Sequence, residues 1–264
     1  MRFFSLAFFA AIAVCPSLAH GQNGSQAVQQ AQPRGRGLAA IQQAGAAQKY
    51  LFVFFWRAQD AQTDQMWKSL QAAIAKTTDR ATYTSLRVDD PTEKPLVDRY
   101  GIDRAPLPLV LALAPCGAVT KAFVGRLEEN QLAAAFVSPC TERCMKALQD
   151  RKLVLLCVQN QGARIQPAVS QGVLDFKADQ HYAAYTEVVC LNPGEAAEAG
   201  FLKDLQIDPR TPNLVTVLMS PPGSMVGRFD GPVTKEQLVA KLAAAQSGCC
   251  PGGKCGPGGC CPKH

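Results

Sequence analysis

Apolar runs alternate along the chain with amphipathic stretches. YLFVFFW, Tyr50–Trp56, is apolar without a break, as a strand covered on both faces is, whereas Thr63–Lys76 spaces its apolar residues three and four apart, as a helix does. The same periods predict helix Leu38–Lys49, strand Thr82–Val88, helix Lys94–Tyr100, strand Leu107–Leu113, turn Ala114–Ala118, strand Val119–Gly125 and helix Glu128–Val137.

The second half repeats this order. Tyr83-Thr84 is matched to Tyr185-Thr186, Tyr100-Gly101-Ile102 to Leu205-Gln206-Ile207, Pro106 to Pro212, and Phe123-Val124-Gly125 to Phe229-Asp230-Gly231. KLVLLCV at Lys152 opens the second copy as YLFVFFW opens the first. Between the copies, Ser138 followed by Pro139 forms a helix start, an N-cap hydroxyl and then a proline where no N–H is needed, so Pro139–Asp150 is expected as a helix. The expected organisation is a signal peptide at 1–19, a linker at 20–37, α/β domains at 38–137 and 138–246, and a tail at 247–264.

At 264 residues with 47% hydrophobic content, the chain is able to bury a core. Its net charge of +6 is spread thinly, with no run or stripe of like charges, so nucleic acid is not an expected partner. Arg2, the apolar run Phe3–Val14 and the small residues Ser17-Leu18-Ala19 have the form of a secretory leader, which predicts a secreted or periplasmic protein. Nothing after it reaches the roughly twenty apolar residues of a membrane span. Residues 20–37, rich in Gln, Gly and Ala, are too polar to order themselves.

Export sets the context for the eleven cysteines, ten of which remain once Cys15 leaves with the leader. Cys116 is expected exposed in a turn. Cys140 and Cys144, four apart on a helix, suit core positions, a strained disulfide or a metal, and Cys157 and Cys190, on neighbouring strands, suit core positions or a cross-strand bridge. The tail CCPGGKCGPGGCCPKH is too rich in Gly and Pro for regular structure. Its Cys249, Cys250, Cys255, Cys260, Cys261 and His264 are suited to disulfides, some of them intermolecular, or to a soft ion such as Cu(I) or Zn(II).

The segment RYGIDRAPLPLVLALAPCGAVTKAFVGRLEENQLAAAF, Arg99–Phe136, with the order of elements around it, resembles the thioredoxin family, and the likeness extends to the second half. It implies two tandem thioredoxin-like domains, each a mixed β-sheet flanked by helices, with Pro106 and Pro212 as the cis-prolines. The family's cysteine pair follows a Phe-Trp; after Phe55-Trp56 the matching positions hold Gln59, Asp60, Ala61, Gln62 and Thr63. Asp60 is expected to cap the helix rather than to do chemistry. Phe54 replaces the family's buried acid, and Asn160-Gln161-Gly162-Ala163 in the second copy carries no cysteine either.

The resemblance therefore predicts a non-catalytic protein that binds a peptide or protein partner. Trp56, Gln59, Asp60, Ala105 and Pro106 would line the groove of the first copy, and Thr211 and Pro212 that of the second. Two other readings stand beside it: a thiol–disulfide oxidoreductase working through its remaining cysteines, and a metal-binding protein working through its tail.

Overall fold

The computed structural model describes residues 35–159 and 169–247. The expected leader, most of the expected linker, residues 160–168 and the expected tail from 248 onward lie outside the described residues. The first domain runs α1 (Arg36–Ala46), β1 (Tyr50–Trp56), α2 (Ala61–Ala75), β2 (Ala81–Arg87), α3 (Lys94–Tyr100), β3 (Leu109–Leu113) and β4 (Val119–Val124), and a 3-10 helix, Glu129–Ala135, follows. The second runs α4 (Pro139–Gln149), β5 (Leu153–Val158), α5 (Gln171–Ala178), β6 (Thr186–Leu191), α6 (Ala199–Asp204), β7 (Val215–Ser220), β8 (Ser224–Asp230) and α7 (Lys235–Ser247).

The sheets are ordered β2-β1-β3-β4 and β6-β5-β7-β8. In each, the first two strands of the domain run parallel and the other pairings are antiparallel. Each domain is thus a four-stranded mixed β-sheet flanked by helices, the tandem architecture that the resemblance predicts.

The unbroken apolar character of β1 follows from its central place. Leu51, Val53 and Phe55 pack with Leu86, Leu96 and Ile102 on the α1/α3 side, while Phe52 and Phe54 pack with Met66, Leu70 and Ile74 of α2 on the other. Burying each of these side chains stabilises the fold by about 1.5–3 kcal/mol. Among the described residues no helix is long and apolar enough to cross a membrane.

The duplication is recorded in the backbone. Among the described residues, eight with left-handed φ form four pairs at equivalent places: Gln48 and Arg151 before the central strands, Gly101 and Gln206 after α3 and α6, Gly117 and Gly223 in the hairpin turns, and Gly125 and Gly231 after the last strands. Strand register corrects one of the sequence matches. Phe55 pairs with Leu86 and Leu109, and Val158 pairs with Leu191 and Val215, so Leu86 corresponds to Leu191. Tyr83-Thr84 is therefore not the equivalent of Tyr185-Thr186: the register sets the β2 and β6 copies three residues further apart, because two tyrosine–threonine pairs near strand starts coincide without sharing a place in the sheet.

Three further expectations change. The expected linker stops short of 37, because Arg36 and Gly37 already belong to α1 and Gly37 is packed against Leu86, Glu93 and Leu96. The predicted helix Glu128–Val137 is a 3-10 helix ending at Ala135: Glu128 and Gln131 form a capping box at its start, and Pro139, beginning α4, keeps Ser138 extended. Cys190 is exposed, not part of the core.

Helix α4 starts as its sequence predicts, with the Ser138 side chain accepting from the Thr141 N–H and Pro139 in the first turn. It also meets the first domain. Gln149 accepts from the Val119 N–H at 2.8 Å and donates to the Val119 carbonyl at 2.7 Å, and the Tyr50 hydroxyl donates to the Glu142 carboxylate. Burial, then the hydrogen bond to Glu142, raises the Tyr50 pKa far above the usual phenol value.

Candidate functional site

The junction between β1 and α2 is built to start a helix. Asp60 is the N-cap, its Oδ1 accepting from the Thr63 N–H at 2.8 Å, and Thr63 Oγ1 donates to the Ala58 carbonyl at 2.9 Å. The hydrogen bond from the Thr63 backbone N–H, the largest of several causes, holds the Asp60 carboxyl below its ordinary value. Asp60 is exposed and Thr63 is buried beneath it.

Facing this helix start is the loop before β3. Asp60, Ala105 and Pro106 line a cleft of about 380 Å³ with Arg57, Ala58, Thr63, Leu107 and Pro108. Trp56 and Gln59, expected in the same groove, line a separate notch of about 150 Å³ with Phe54, Thr63, Asp64, Trp67 and Ser85. Thr63 is common to both. The five predicted residues are thus divided between two adjoining depressions.

The cis bond of the first domain is Leu107–Pro108, not the bond before Pro106, and Pro212 is not cis either. Pro108 is the residue immediately before the fully buried run LVLAL of β3, and its carbonyl accepts from the Gly125 N–H at 2.8 Å. In the second domain Leu214 takes that place, its carbonyl accepting from the Gly231 N–H at 2.7 Å. The two prolines shared by both copies, Pro106 and Pro212, lie two residues ahead of that position.

Two backbone groups in the cleft are unpaired. Among the described residues, neither the Leu107 N–H nor the Leu107 carbonyl has a hydrogen-bond partner, whereas the neighbouring Ala105 N–H donates to the Ile102 carbonyl at 3.0 Å.

In the second domain Thr211 is half-buried, its N–H donating to the Asp208 carbonyl at 3.0 Å, and Pro212 is exposed. Neither lines the cleft of about 450 Å³ found there, which is formed around Ser170, Gly172, Leu214, Val233 and Thr234. Sequence reasoning missed Arg57, Ala58, Thr63, Leu107 and Pro108 in the first domain. The signal available for Pro108 was its place directly before the apolar strand, which the shared Pro106/Pro212 match outweighed.

The described cysteines are all free thiols. Burial pushes Cys144 and Cys157 up to about 12, and burial followed by the charge of Glu198 does the same to Cys140. Burial also raises Cys116. A thiol held so far above neutrality is a poor nucleophile and a poor metal ligand. Cys157 and Cys190 are register partners on β5 and β6, and Cys140 Sγ donates to the Cys190 carbonyl at 3.4 Å. No cluster of three or more His, Cys, Asp or Glu suited to a metal ion occurs among the described residues, and Cys249, Cys250, Cys255, Cys260, Cys261 and His264 lie outside them.

No protein-family model matches the chain. No curated protein matches it either. Among solved structures it is similar to a disulphide isomerase from Xylella fastidiosa Temecula1, at 20% identity over 34% of this chain and 71% of that one, with a TM-score of 0.28. Thioredoxin O2 from Arabidopsis thaliana is 13% identical over 39% of this chain and 85% of that one, with a TM-score of 0.32. Human ERp44 in its zinc-bound form is 9% identical over 81% of this chain and 60% of that one, with a TM-score of 0.33.

Proposed function

We propose that the first domain binds an extended peptide in the cleft between Asp60 and Pro108, without thiol chemistry, and that the protein is an exported binding or scaffolding module. One observation carries this reading: the unpaired N–H and carbonyl of Leu107, the two groups of one residue that strand pairing uses, at the edge of the cleft. An incoming strand supplies the complementary carbonyl and N–H, so that pairing is favourable for any sequence and the surrounding side chains add selectivity. Asp60, whose carboxylate is held ionised by its capping bonds, contributes a negative charge at one end.

The position where the family's fold places a reactive thiolate is held by Asp60 and Thr63, neither of which attacks a disulfide. The described cysteines do not replace it, since Cys140, Cys144 and Cys157 stay protonated near neutral pH. The cysteine-rich tail is read as a cross-linker, joining the module to other chains through disulfides.

The test is selection of binders from a random heptapeptide library against the full-length protein, followed by titration against Ala58→Tyr. Ala58 is exposed and lines the cleft, so a tyrosine there obstructs it without entering the core. Binding weakened at least about tenfold supports the reading. Equal binding by both proteins contradicts it.

A further inference from the structure

The notch beside the cleft has its own chemistry. Phe54, Trp56 and Trp67 line it together with Thr63, Ser85 and the exposed Gln59 and Asp64. The aromatic rings are fixed before anything binds. Trp56 Nε1 donates to Ser85 Oγ at 2.9 Å, and Trp67 is tilted against Phe54 at 5.2 Å and set edge-on to Tyr83 at 5.3 Å.

In the same lining Asp64 is exposed, and among the described residues its side chain makes neither an ion pair nor a hydrogen bond. Indole faces carry negative potential, so two indoles and an unpaired carboxylate around one small opening select for a cation. A cation already lies near this wall: the Arg87 guanidinium is 6.0 Å from the Trp56 centroid, outside the notch itself.

We propose that the notch holds the side chain of a lysine carried by the bound peptide. The unbranched stem lies against Trp56 and Trp67, and the ammonium reaches the Asp64 carboxylate and the Gln59 side-chain carbonyl. About 150 Å³ has room for one long side chain and none for a backbone. Thr63, shared with the cleft, places the notch within one side chain's reach of a peptide lying there. The proposal rests on the peptide-binding reading for its carrier, while the affinity of the notch for a lysine side chain is a property of the notch alone.

The chain has two tryptophans, and both line the notch, so intrinsic fluorescence reports on it directly. Nα-acetyl-lysine amide, titrated into the full-length protein, is expected to give a saturable change, with Nα-acetyl-norleucine amide at least about fivefold weaker. Asp64→Asn, at an exposed position, is expected to weaken the lysine amide about fivefold, and Gln59→Glu to strengthen it. Ala58→Tyr is expected to leave lysine-amide binding unchanged, so lysine-amide binding that meets these expectations, together with equal peptide binding by the wild type and Ala58→Tyr, sinks the peptide reading and keeps the notch. Equal binding of lysine and norleucine amides, or no effect of Asp64→Asn, overturns the notch.

Discussion

The Gly37 N–H donates one bifurcated hydrogen bond to the Glu93 carboxylate, 3.2 Å to Oε1 and 3.1 Å to Oε2, fifty-six residues away in sequence. Gly35, the N-cap of α1, has no side chain to accept it, so a buried carboxylate from the 3-10 turn Pro91–Glu93 that follows β2 caps the helix. The second domain repeats the device: Glu198 accepts from the Cys140 N–H at 3.2 Å and from Ser138 Oγ at 2.5 Å, at the start of α4.

Glu93→Ala is expected to destabilise the protein by about 1–3 kcal/mol, since it leaves the buried Gly37 amide unpaired. Gly37→Ala is expected to destabilise it too, despite alanine's better helix propensity. A Cβ at Gly37 would lie 2.6 Å from Leu86 Cδ1 and 2.8 Å from Glu93 Oε2. Urea unfolding checks both, and an unchanged midpoint for either variant contradicts this account of α1.

Neither glutamate stood out in the sequence, where PTEKP and AAEAG share one letter, because the partner of each is a backbone amide on a distant element. What was legible is what local periodicity records: β1 and β3 as buried runs, Asp60 and Ser138 as caps, and the duplication itself. The cleft was legible only in part. Asp60, Ala105 and Pro106 meet there, but the division that sends Trp56 and Gln59 to the notch depends on how the two indoles pack against Phe54 and Ser85. The choice between Pro106 and Pro108 was decided by a repeat match when the register of β3 decides it physically.

The helix start at Asp60 is predicted to support the chemistry that it lacks. In Asp60→Cys combined with Thr63→Cys, a thiol replaces the capping carboxylate at the positive end of α2, and a second one sits in hydrogen-bonding range to resolve a mixed disulfide. The double variant is expected to accelerate reduction of a protein disulfide by dithiothreitol, and the wild type and each single variant are not. A wild-type rate equal to that of the double variant would show that its own cysteines already act as a redox pair.

The buried thiols set an alkaline limit on stability. Cys140, Cys144 and Cys157 are held neutral in the fold up to about 12, against an ordinary value of 9.0, so the unfolded chain loses these protons first. Their effect is absent below pH about 9, and stability falls as pH rises from there towards about 12. Thermal melts across this range are expected to show a shallower loss for Cys157→Ala than for the wild type, relative to each protein's value at pH 7. Iodoacetamide at pH 8 is expected to leave Cys144 and Cys157 unmodified in the native protein and to label them after unfolding.

The central claim, that an extended peptide pairs with the backbone at the edge of the first domain's cleft, is tested most directly by the amide resonance of Leu107. On titration with a library-selected heptapeptide, the account predicts a saturable downfield shift of that amide with the dissociation constant measured for binding, and its loss in Ala58→Tyr. A Leu107 amide that does not move while the peptide binds at full affinity would contradict it.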